Sequence, residues 1–205
     1  MPLLQCKNKE RRDHTEMKQD WKPGTLIYPL PAAMISCGSN PDEYNIITLS
    51  WLGTICTNPP MCYISIRPER HSYSIIKRNM EFVINITTEE LAYATDWCGV
   101  RSGKDFNKFD EMKLTAGKAS IVQAPVIEES PLNIECRVKE ILALGSHDMF
   151  IADVVNVKAD EKYINSATGK FSLEDANPIA YSHGQYYELG KKIGGFGWTV
   201  RKKKD

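Results

Sequence analysis

The stretch TLSWLGTICTNPPMCYISIRPERHS, residues 48–72, concentrates two kinds of side chain. Its first part sets hydroxyls around one large aromatic: Thr48, Ser50, Trp51, Thr54 and Thr57. Its end carries Arg67, Arg70, His71 and Ser72. Hydroxyls and backbone amides of an extended segment offer hydrogen bonds to the edge of a planar heterocycle, and Trp51 can pack on or beside such a ring. Arginine presents two parallel N–H groups to one phosphate. A helix starting at Ser72 leaves its first N–H groups unpaired and positive, with Ser72 as its cap. Each half has an ordinary explanation by itself, since threonine favours strands and charge runs are commonly solvated. Side by side they describe a polar ledge next to an apolar strand, followed closely by an anion site.

Other chemistries find little support. Cys6, Cys37, Cys56, Cys62, Cys98 and Cys136 form no CxxC pair and mostly sit in apolar runs, as buried reduced thiols do. His14, His71, His147 and His183 lack the spacing of a metal site, so no metal is expected. There is no G-x-S-x-G, and the GGFG near the end lacks the strand–turn–helix context of a dinucleotide fingerprint. Asp153, within a mostly apolar strand, is expected to be paired structurally. With 26 basic and 26 acidic residues among 205, nothing advertises nucleic acid or an anionic membrane. No signal peptide is expected from the charged and polar opening residues, and no apolar run reaches the roughly 20 residues of a membrane span. A cytoplasmic location is the expectation.

The elements that must position these groups follow from the hydrophobic pattern. Residues 1–25 read as a polar N-terminal arm, 26–200 as one compact domain and 201–205 as a basic tail. Pro29 and Pro31 place the stretch around them on a sheet edge or in a loop. Ala32 to Cys37 reads as a buried strand, Gly38 to Asp42 as a hairpin connection and Tyr44 to Leu49 as the returning strand. Strands are also expected at Met61 to Ile66 and at Met80 to Ile86, where Met80, Phe82, Ile84 and Ile86 share a face. A short helix is expected from Ser72 to Arg78. A second is expected to start at Thr87-Thr88-Glu89-Glu90 and run to about Asp96. Trp97 to Phe109 reads as a loop with a short helix, in which Gly99 and Gly103 permit close backbone approach. Leu132 to Ile141 alternates Leu132, Ile134, Cys136 and Val138 with Asn133, Glu135, Arg137 and Lys139. Met149 to Val157 is apolar on both faces and is expected to be covered on both. Tyr181, His183, Tyr186 and Tyr187 cluster near the end. The sum is a mainly antiparallel β domain, closed into a barrel, with short inserted helices.

A ledge and an anion site of this kind suit a flavin mononucleotide (FMN), and three blocks point the same way. TLSWLGTICTNPPMCYISIRPERHSY, EFVINITTEELAYATDWCGVRSGKDFNKF, and HGQYYELG with GGFGWTVRKK together resemble the flavin reductase-like family, in its flavoredoxin branch. The resemblance spans roughly residues 26–200. It implies an FMN-binding split β-barrel, antiparallel and Greek-key-like, assembled as a homodimer with FMN bound noncovalently near the interface. By the same resemblance Thr48, Ser50, Trp51, Thr54 and Cys56 line the ring and ribityl chain, and Arg67, His71 and Ser72 hold the phosphate. Arg101 and Ser102 approach the cofactor, from the same or the partner subunit. His183 and Tyr186 lie by the open ring face where a nicotinamide or another electron partner docks. Trp51 stands where many relatives carry a small residue, which fits the flavoredoxin branch and FMN retained as a prosthetic group. The implied function is electron transfer through FMN from NAD(P)H or a reduced partner to an acceptor. The alternatives are a carrier without NAD(P)H activity and a non-catalytic FMN-binding or storage protein.

Overall fold

A computed structural model describes residues 18–200; the basic tail and all but the last part of the N-terminal arm lie outside the described residues. Twelve strands account for most of the regular structure. They are β1 (Leu30–Pro31), β2 (Ala33–Cys37), β3 (Asn45–Leu49), β4 (Leu52–Thr57), β5 (Pro60–Ile66), β6 (Glu81–Ile86), β7 (Ala116–Gly117), β8 (Val126–Ile127), β9 (Leu132–Ala143), β10 (Asp148–Ala159), β11 (Ile179–Ser182) and β12 (Gln185–Glu188). The helices are α1 (His71–Asn79), α2 (Ala92–Val100) and α3 (Lys108–Met112).

The principal sheet has seven strands in the order β3-β2-β6-β9-β10-β5-β4, every neighbouring pair antiparallel. Its two ends, β3 and β4, follow one another in the chain with only Ser50 and Trp51 between them. The sheet therefore has to curl until its edges meet. A hydrogen bond from Ser65 N–H to the Trp51 carbonyl, 2.8 Å, stitches the corner. β3 and β4 form one bent strand that closes an antiparallel barrel and leaves few free edges.

Inside the barrel, Ile35, Ile47, Ile64, Phe82, Cys136 and Phe150 form one core with Tyr73, Ile75 and Ile76 of α1. A second core lies outside the wall, where Met34 and Ile46 meet Leu91, Ala94 and Cys98 beside α2, and Phe109 of α3. The expected strands appear within a residue or two of their expected limits, and Phe82 and Ile84 share the inner face as the alternation predicts.

Three expectations are corrected. The helix expected from Thr87 begins at Ala92 and has no side-chain cap. Thr87 is buried and donates its hydroxyl to the Ala32 carbonyl, 2.8 Å, while Thr88 bridges to Pro178, so both threonines secure the barrel wall. Gly99 lies in helix α2 and not in a loop. On β9, Asn133 and Glu135, which belong to the polar half of the alternation, are buried. The chain between α3 and β9 folds over them and forms a third apolar cluster of Val83, Ala119, Val122, Ala124 and Val126. Glu135 accepts N–H bonds from Ser120, Ile121 and Val122 at 2.9, 2.6 and 3.1 Å and one from Asn156 at 2.8 Å. Burial pushes this carboxyl up, but the four hydrogen bonds outweigh it and hold the group below its ordinary value.

Candidate cofactor site

Helix α1 starts at His71 with Arg70 at its cap position, and no side chain satisfies its first turn. Ser72 is therefore not the cap. Its hydroxyl, fully buried, accepts from Asn45 Nδ2 of β3 at 2.8 Å. This bond ties the start of α1 to the barrel wall. Facing it, the segment after α2 brings in Arg101, Ser102 and Gly103, and α3 brings in Lys108. A Cβ on Gly103 would collide with the Asn45 amide, so only glycine lets this segment lie so close to the wall.

The result is a cleft of about 540 Å³ lined by Asn45, Ile47, Arg67, Arg70, His71, Ser72, Arg101, Ser102 and Lys108 among others. Glu69 is the one acid in this lining and sits 3.6 Å from Arg67. His71 is held below its ordinary pKa by burial and then by Lys104 and Lys108. The cleft is thus a concentration of cations at an uncapped helix start, with field and donors suited to a phosphate.

A second cleft, about 250 Å³, adjoins it through the shared residue Gly99. Thr48, Leu49 and Ser50 form one side, and Asp96, Val100, Tyr181, Gly184 and Tyr186 the other. Thr48 donates its hydroxyl to the Thr95 carbonyl of α2 at 2.5 Å. A Cβ on Gly99 would stand 3.2 Å from the Thr48 Cβ, so glycine lets α2 close on β3. Tyr181 and Tyr186 make an edge-to-face pair at 5.6 Å. Burial, and then the Asp96 carboxylate, push the Tyr186 hydroxyl up to about 12. The β11–β12 hairpin turns on His183 and Gly184, both at positive φ, 49° and 79°, as a two-residue hairpin with matching twist requires.

The structure thus brings Arg67, His71, Ser72, Arg101 and Ser102 into the cation-rich cleft, and Thr48, Ser50 and Tyr186 into its neighbour. It does not bring Trp51, Thr54 or Cys56 there. Trp51 packs against His147 with ring centres 4.3 Å apart and planes tilted by 40°, and lines a separate apolar cleft with Leu26, Ile27, Leu30 and Tyr63. Thr54 and Cys56 lie on β4, beyond the corner. His183 packs against Tyr28 with ring centres 4.3 Å apart, next to the second cleft's Gly184. Asn45, Asp96 and Lys108 were not singled out from sequence. Asn45 carried a signal, as a lone amide in an otherwise apolar strand. Lys108 carried none, because a lysine between Asn107 and Phe109 reads as ordinary helix surface. Among the described residues no group of three or more His, Cys, Asp or Glu side chains is disposed to hold a metal ion.

The residues present fit FMN. The cation cleft offers a phosphate more positive charge than its own acid balances, and the glycine-floored cleft offers hydroxyls and tyrosine faces to a ring.

Comparison with known proteins agrees with this geometry. Residues 25–190 match the flavin reductase like domain. The fold superimposes on flavoredoxin of Desulfovibrio vulgaris (Miyazaki F) with a TM-score of 0.82, 26% identity, 90% of this chain covered and 100% of that one. An uncharacterized protein of Archaeoglobus fulgidus is 30% identical over 131 residues, 64% of this chain and 73% of its own. An FMN reductase (NADH) of Agrobacterium fabrum is 24% identical over 107 residues, 51% of this chain and 58% of its own. The matched domain, the split-barrel fold and the two adjoining clefts agree: this chain belongs to the flavin reductase-like family, whose business is flavin-linked oxidation and reduction.

Proposed function

We propose that this protein binds FMN noncovalently, phosphate in the cation-rich cleft and ring system against the Thr48–Ser50 ledge, and passes electrons through it to an acceptor. The donor in this reading is NAD(P)H or a reduced redox partner, and the assembly is a cytoplasmic homodimer. One observation carries the reading: a cleft lined by Arg67, Arg70, His71, Arg101 and Lys108 shares Gly99 with a hydroxyl-lined cleft walled by two tyrosines.

When bound, the flavin supplies the redox chemistry by accepting and releasing one or two electrons. The chain's own residues bind, orient and shield. Arg67, Arg101 and the first turn of α1 would fix the charged end. The Asn45–Ser72 hydrogen bond holds that turn in place. Ser50 offers a hydroxyl at the ring edge, while Thr48, committed to α2, sets the width of the slot. Tyr186 keeps its proton at neutral pH and can donate a hydrogen bond at the open side. His183, at the hairpin turn, is exposed where a donor would approach.

A second reading, a carrier that takes its electrons from a protein, is favoured by the extent of the two likenesses. The superposition on flavoredoxin has a TM-score of 0.82 over 100% of that chain, against 0.72 over 85% for a split-barrel flavin reductase-type structure from Shewanella frigidimarina. The absorption spectrum of the purified protein, taken before and after anaerobic NADH or NADPH, tests both. Flavin bands that bleach with either nucleotide support the reductase. Bands that persist with both, yet bleach with dithionite, support the carrier. A protein that stays colourless after incubation with FMN overturns the proposal.

A further inference from the structure

Lys108 has no role in the binding scheme just described beyond its charge. It is 3% exposed, and its Nζ donates to the Ile46 carbonyl of β3 at 2.7 Å and the Cys98 carbonyl of α2 at 2.6 Å. An ammonium has three N–H groups, so one is unspent. Among the described residues no carboxylate pairs with it. A buried charge without a counter-ion is costly, and this one lines the cation-rich cleft.

We infer that Lys108 is the titrating anchor of the anion site: a phosphate-bearing flavin is held while this ammonium keeps its proton and is released when the proton is lost. The inference rests on the function proposed above. An incoming phosphate would receive the spare N–H and supply the missing negative charge. The two carbonyls hold the ammonium in place beforehand.

The neighbouring groups set the direction of the pH effect. Burial brings Lys108 down to about 8; Cys98 and Cys37 push it back up, and Arg70 pushes it further down. Burial lifts Cys98 to about 11 and Cys37 to about 12, so neither thiol changes charge in the same range. His71 titrates below its ordinary value and so on the acid side. Glu69, the remaining acid of the lining, lies against Arg67, and Lys104 acts on His71. Above about 8 the empty protein has a neutral Lys108, and binding a dianion must draw a proton back onto it. Affinity then falls by about tenfold per pH unit until the bound-state pKa is reached.

The test is a fluorescence titration of flavin-free protein with FMN and with riboflavin, which lacks the phosphate, from pH 7 to 9.5. The FMN dissociation constant is expected to rise about tenfold between pH 8.5 and 9.5 while that of riboflavin stays flat. Lys108→Met is expected to weaken FMN, flatten its profile and leave riboflavin unchanged. If that variant does not fold, the two wild-type profiles still decide. An FMN profile flat to pH 9.5, or a riboflavin profile of equal slope, overturns the inference and leaves the function standing. Absence of FMN binding at every pH overturns both.

Discussion

Arg67 and Ser72 line the same cleft, yet their surroundings assign them different work. The Arg67 guanidinium is half-exposed and has only a 3.6 Å contact with Glu69. The protein loses little structure without it, while a phosphate would lose a charge-assisted bond of about 1.5–3 kcal/mol. Arg67→Ala is therefore expected to weaken FMN by at least about tenfold in an equilibrium titration, with an unchanged denaturant midpoint. Ser72→Ala is expected to behave differently. It strands the Asn45 amide in a buried place and should cost about 1–3 kcal/mol of stability in denaturant unfolding. FMN would weaken with it, because the first turn of α1 loses its tie to the barrel. Equal effects of the two substitutions on stability would refute this division of labour.

At the scale of the element, the strand pattern was legible because burial in a sheet leaves a period of two, and Phe82 and Ile84 show it. The β3–β4 segment was legible as the ledge for a related reason: its hydroxyls stand out in an apolar run. What the pattern hid was the layer outside the barrel. Asn133 and Glu135 look like solvent-facing residues until the segment 119–126 covers them, and nothing local says that a carboxylate will collect three backbone N–H groups from 13–15 residues away. Thr87 misled for the opposite reason, since a hydroxyl before acids is a good helix cap unless a distant carbonyl claims it. Trp51 adjoins the ledge in sequence but faces away, because it sits at the corner between β3 and β4, where His147 receives it. Glu135→Gln puts the finding to measurement. An amide has one acceptor oxygen for four donors and turns its own N–H groups toward others. A loss of about 2–4 kcal/mol is expected in denaturant unfolding. The group's depressed pKa also fixes a sign. Wild-type stability from this carboxylate is complete above its ordinary value of 4.5 and is lost as pH falls through the lower folded value. The difference between wild type and Glu135→Gln should therefore shrink on acidification; a difference that grows would refute the assignment.

At the scale of the whole molecule, the described residues leave one face of the barrel uncovered. Helix α1 packs on the inner core and α2 and α3 lie over β2 and β3, so each of these surfaces has its layer. Across β4, β5 and β10 the register sets Gly53, Tyr63 and Ile151 in one row, with Met149 two residues along β10. None of these four residues is fully buried, although the apolar pattern of β10 predicts cover on both sides. A second copy of the chain is the cover that the proposed homodimer would provide, and it would lie beside the apolar cleft that Tyr63 lines with Trp51. The cation-rich cleft, in contrast, draws Arg67, His71, Arg101 and Lys108 from one chain. Assembly and phosphate binding should then be separable. Ile151→Lys places a charge in the middle of the open row without emptying the core, because Ile151 is only half-buried in the single chain. In sedimentation, wild type is expected at twice the chain mass and Ile151→Lys at the mass of one chain, still folded by circular dichroism and still binding FMN. A wild type that sediments as one chain would remove the homodimer. A monomeric variant that folds yet binds no FMN would instead show that a second chain completes the site.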